Sequence, residues 1–176
     1  MRRRAFTLIE LLVVVAIIGL LSTVAAVASS AAKRNAHNAQ IKANLLHISK
    51  ALELYYADHG SYPVSTFHGG GCANYGNLPD TDPGSWIPGL VAGGYMQKLP
   101  RDPYTANGGN QYSANSGCNP PNTVTCYGYV SNGIDYKVIA HCLPDGTVAA
   151  NDPFYDPHGS RNYAMQISTS GGISLW

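Results

Sequence analysis

The chain has 176 residues, of which only 12% are charged, with a formal net charge of +1, 19 glycines, 11 prolines and four cysteines. So sparse and balanced a charge leaves no basic footprint of the kind a nucleic-acid surface carries. No Gly-x-Ser-x-Gly elbow, lysine-bearing phosphate loop or His-Glu-x-x-His pair occurs, which removes the common motif-borne chemistries and leaves no enzyme signal.

The chain opens Met1-Arg2-Arg3-Arg4-Ala5, continues Phe6-Thr7-Leu8-Ile9-Glu10, and then runs from Leu11 to Leu21 without a polar side chain. Arginines before an apolar run long enough to cross a bilayer fix the N-terminus in the cytoplasm. A lone charge near the bilayer centre costs roughly 2.5–3.5 kcal/mol, so Glu10 implies a partner charge supplied from elsewhere. A secretory signal peptide shares the basic start, but Glu10 interrupts its apolar region and no clear stop follows before Ala32. A plain signal anchor for an unrelated domain is the other competing reading.

The string Arg4-Ala5-Phe6-Thr7-Leu8-Ile9-Glu10-Leu11 resembles the processing site of type IV pilins and type II secretion pseudopilins. The resemblance implies cleavage between Ala5 and Phe6 by a prepilin peptidase and methylation of the new Phe6 amine. It also implies a membrane helix that is later extracted by an inner-membrane assembly platform into a homo-oligomeric helical filament. The family usually has glycine before the cut, where this chain has Ala5. Phe6 and Glu10 are the expected assembly residues.

All prolines lie after Tyr62, and before Gly60 only Gly19 weakens a helix, so one helix is expected from Phe6 to about Ala57. At 1.5 Å per residue its roughly 52 residues would extend about 78 Å. Its first half is apolar all round. In the second, Ile41, Leu45, Ile48, Leu52 and Tyr55 form one stripe suited to packing on a globular body, with Lys33, Arg34, Lys42, Lys50 and Glu53 on the wet side. Gly19 is either a point where the helix loosens in a filament, as the resemblance suggests, or a site of close helix approach. Gly60 and Pro63 end the helix. The strings at 55–63 and 94–104 are similar to the helix exit and sheet entry of major pseudopilins, whereas 64–93 reads as a loop.

Residues 127–131 and 135–142 flank Asn132-Gly133, a strong hairpin signal. Segments 163–168 and 173–176 are candidates for further strands. The expected fold class is therefore α+β and type IV pilin-like: one long N-terminal helix on a small antiparallel sheet, with a long disulfide-stapled loop. The expected organisation is a leader at 1–5, a transmembrane and filament-core half-helix at 6–32, and one exported domain at 33–176.

Four cysteines allow three pairings. Cys118 and Cys126 enclose a tight loop and are expected to pair, which leaves Cys72 with Cys142. Closely spaced ligands for zinc are missing. Asp145, Asp152 and Asp156 make a weak calcium candidate, since hard cations take several oxygens. Resemblance to major pseudopilins, which often bind calcium in this region, points the same way. Against it, the usual acidic loop pattern is missing and Asp152-Pro153 and Asp156-Pro157 read as turns. No other cofactor is expected.

Removing Arg2, Arg3 and Arg4 leaves eight basic against ten acidic side chains, a balance of −2, so no direct nucleic-acid binding is expected. The functional expectation is a filament subunit of type II secretion, anchored in the inner membrane before assembly and exposed in the periplasm or outside the cell. An adhesive, motility or DNA-uptake pilin is the alternative within the class. A membrane-anchored monomeric binding protein or enzyme is the alternative outside it.

Overall fold

The structure, a computed structural model, describes residues 7–65, 86–100, 126–141, 143, 148–157 and 164–172, with backbone alone at 24–28, 126 and 141. Cys72, Cys118, Cys142, Ala5, Phe6, Asp145 and the candidate strand at 173–176 lie outside the described residues. So do the two expected disulfides, since only the backbone of Cys126 is described.

Helix α1 spans Leu8–His59, two residues later at each end than expected. Its start is fixed by Thr7. The Thr7 amide and hydroxyl both donate to Glu10 Oε2, at 2.9 and 2.7 Å, and the Glu10 amide donates to Thr7 Oγ1 at 3.3 Å. This is a reciprocal capping box, in which each side chain satisfies an amide left over at the helix start. Its end is fixed by Gly60, whose φ of 70° is the left-handed conformation that favours glycine and whose amide donates to Tyr56 O at 2.8 Å.

The chain divides into two compact units, residues 1–36 and 37–176. In the first, Leu8, Ile9, Leu11, Leu12, Val13, Val14, Val15, Ile17, Ile18, Leu20 and Leu21 are all exposed. Ser22 and Thr23 return their hydroxyls to Ile18 O and Leu20 O, so neither needs water. Among the described residues, no helix is long and apolar enough to cross a membrane.

The second unit holds the core. Strands β1 (Cys126–Ser131), β2 (Tyr136–His141) and β3 (Met165–Ser168) form an antiparallel sheet in the order β1-β2-β3. Tyr129 pairs with Val138, and Val138 with Ile167. The β1–β2 connection is the expected one in place, but it is longer than a two-residue turn. Asn132 Oδ1 accepts from the amides of Ile134 and Asp135, and Gly133 has a φ of 92°.

The apolar stripe on α1 is as expected: Ile41, Leu45, Ile48 and Leu52 are fully buried, with Tyr55 packed beside them. They meet Tyr127, Tyr129, Tyr136, Val138, Ala140 and Met165, which share one face of the sheet. Trp86, Ile87 and Leu90 join the same core from within the stretch expected to be plain loop, Trp86 stacking on Tyr127 at 6.1 Å. The sheet's other face is buried too, at Val130, Lys137, Ile139 and Gln166. Its edges are partly closed by isolated bridges, Ser65 to Ser131 on β1 and Tyr155 to Met165 on β3.

Candidate assembly site

Three arrangements carry the chemistry of this chain. The first is the head of α1. Glu10 spends one carboxylate oxygen on Thr7, and among the described residues no hydrogen bond involves its Oε1. The sequence implies a partner charge from elsewhere for Glu10, whereas among the described residues its hydrogen-bond partner is Thr7, three residues away, in the pattern Thr7-x-x-Glu10. A Cβ built on Gly19 would meet nothing within 4 Å, so no packing among the described residues requires glycine there.

The second is the seam between α1 and the sheet, where tyrosine hydroxyls set the docking. Asn44 Nδ2 donates to Tyr127 Oη at 2.9 Å, and Ser49 Oγ and Tyr136 Oη lie 2.9 Å apart. Tyr62 Oη donates to both oxygens of Glu53, at 3.0 and 3.2 Å, and Tyr136 Oη reaches Glu53 Oε1 at 3.4 Å. Tyr129 donates to the Pro63 carbonyl at 2.7 Å from within the core. Burial pushes the Tyr62, Tyr129 and Tyr136 phenols above their ordinary range, and hydrogen bonding to Glu53 raises Tyr62 further. An apolar ring with one polar tip can fill a core and still fix direction. Glu53, expected merely to face water, is the acceptor at the centre of this seam.

Beside the helix end, the Tyr95 hydroxyl donates to Asp58 Oδ2 at 2.8 Å, and that bond raises the Tyr95 phenol. His59 stacks on Tyr55 with ring centroids 3.9 Å apart.

The third is the connection between β2 and β3. Asp152 Oδ2 lies 2.5 Å from Lys42 Nζ, and Asp152 Oδ1 accepts from the Phe154 amide at 3.0 Å. Burial pushes the Asp152 carboxyl up, but the Lys42 and Phe154 bonds outweigh it and hold the group below the usual carboxylate range. Asp156 Oδ1 lies 3.1 Å from Lys137 Nζ, with both side chains fully buried. The helical pattern places Lys42 on the wet side, whereas here it pairs with Asp152, and no sequence signal marks Lys137 as the partner of Asp156. Among the described residues, no group of three or more His, Cys, Asp or Glu gathers as a metal cluster would.

A capped apolar helix start, and a helix-on-sheet body whose polar groups serve packing, define a pilin-like structural subunit. Residues 1–26 match the prokaryotic N-terminal methylation motif, and residues 27–137 match type II secretion system protein G. Similar proteins include type II secretion system core protein G of Klebsiella pneumoniae, 29% identical over 58% of this chain and 70% of the relative. The core protein G of Escherichia coli K12 is 30% identical over 63% of this chain and 70% of the relative. That of Aeromonas hydrophila is 29% identical over 63% and 71%. No solved structure matches. The chain belongs to the type II secretion system protein G family. It is a pseudopilin, a structural subunit of type II secretion and not an enzyme.

Proposed function

We propose that this pseudopilin is made as a membrane-anchored precursor, with residues 6–32 in the inner membrane and 33–176 on the far side. A prepilin peptidase cuts between Ala5 and Phe6 and methylates the new amine. The assembly platform then adds the subunit to a helical pseudopilus. The observation that carries this reading is the start of α1: eleven large apolar side chains from Leu8 to Leu21 lie exposed, with Glu10 the single carboxylate among them. Such a surface needs lipid first and neighbouring helices later.

Glu10 has a double role in this scheme. After cleavage, Phe6 bears a positive amine in an apolar setting, where an unpaired charge is costly. Thr7 occupies Glu10 Oε2, so Oε1 can receive the Phe6 amine of an incoming subunit and set its axial register. Gly19, which no packing among the described residues requires, lets helices approach closely in the same bundle.

The test is to shear cells that overexpress the chain with its secretion genes, and to weigh the subunit in the released filaments. The expected species lacks Met1 to Ala5 and carries one added methyl. Full-length chains in filaments would refute the processing step. Released subunits that form no filament would refute assembly.

A further inference from the structure

The connection between β2 and β3 carries Asp145, Asp152 and Asp156, and a calcium ion in such a segment takes about six to eight oxygens at about 2.3–2.6 Å. The donors that are described do not fit a metal. Asp152 is held by Lys42 at 2.5 Å and Asp156 by Lys137 at 3.1 Å. A divalent ion taking either carboxylate would have to expel an ammonium or share the carboxylate with it. At Asp156 both partners are fully buried, so no water screens that repulsion. Lys137 also has little freedom to withdraw, because it sits on the central strand between Val130 and Ser168.

We propose that Lys42 and Lys137 act as tethered cations that hold residues 148–157 in place of a metal ion. Their positions suit that work. Lys42 comes from α1, which packs on the face of Tyr136 and Val138. Lys137 alternates with those two residues and points to the opposite face. Asp152 and Asp156 thus tie the connection to both sides of the sheet. Between them, Phe154 O accepts from the Gln166 amide at 2.7 Å and Tyr155 bridges Met165, which lays the segment along the outer edge of β3. Among the described residues, each of these two carboxylates already faces an ammonium group, which opposes the entry of a divalent cation. A lysine is also present in every copy, whatever the ionic composition outside the cell.

The full-length chain in detergent micelles provides the test, by thermal unfolding in calcium chloride and in a chelator. A metal site filled at about 100 times its dissociation constant would raise the midpoint by several degrees. The expected wild-type midpoints agree in the two conditions. A saturable rise with calcium, or a fall in chelator, overturns the proposal. Lys137→Met should lower the midpoint in either condition by removing the cation buried against Asp156, while Lys137→Met with Asp156→Leu should recover most of the loss. A wild-type midpoint for Lys137→Met alone would equally overturn it.

Discussion

The hydroxyl of Tyr62 donates to both carboxylate oxygens of Glu53, so a residue just past the end of α1 is bonded back to the helix it has left. The link fixes where the chain turns towards the sheet, and Tyr136 reaches the same carboxylate from β2. Tyr62→Phe removes one charge-assisted bond and should cost about 1–2 kcal/mol in denaturant unfolding. Tyr62→Phe combined with Glu53→Gln should cost less than the sum of the two changes, because they share one interaction. Additive losses would show that the bond contributes nothing of its own.

Alkali should find the same seam. The Tyr62, Tyr129 and Tyr136 phenols are raised, so the folded state keeps protons that the unfolded chain sheds. Their contribution is complete below the ordinary phenol value near pH ~10 and falls as pH rises past it. Phenolate absorbance should show a class of tyrosines that ionises above the ordinary phenol value, only as the fold is lost. A single titration near the ordinary value, with the fold intact, would contradict the seam.

Acid should act on the β2–β3 connection. The Asp152 carboxyl is depressed in the folded state, so its contribution is complete above the ordinary aspartate value near pH ~4 and is lost as pH falls below it. Comparing wild type with Asp152→Asn by unfolding at a series of pH values should show a gap that closes on acidification. The pair is partly exposed, which limits that gap to about 1 kcal/mol.

Filament yield can separate the two roles of Glu10. Glutamine completes a capping box as glutamate does, but it carries no charge. Glu10→Gln should therefore preserve helix content and cleavage while reducing filament incorporation as severely as Glu10→Ala. Thr7→Ala should weaken the cap and leave most incorporation intact. If Glu10→Gln assembles normally at matched subunit levels, the carboxylate serves the cap alone.

Much of this fold was legible because its signals are periodic. Ile41, Leu45, Ile48 and Leu52 repeat at helical spacing and are all buried, and Asn132-Gly133 marked the hairpin. Trp86, Ile87 and Leu90 escaped notice because they enter the core from irregular backbone, where no period exists to detect. The partners of Lys42 and Lys137 lie 110 and 19 residues away, and spacing alone cannot choose among the aspartates. Thr7-x-x-Glu10 was readable, but a carboxylate in an apolar run draws attention to its charge before its geometry. The disulfide pairings fall outside the described residues.

The single bridges along β1 and β3 have a consequence for how copies of this chain join. An uncovered strand is a template on which any second chain can add its own. Ser65 occupies part of one border and Tyr155 part of the other. A protein whose work is to polymerise is most exposed to polymerising in the wrong way, and crowding in a membrane raises that risk. Partial guarding of both borders favours the proposed growth through the apolar helices, so that the sheet travels as passenger and is kept from becoming the axis of an unintended fibre.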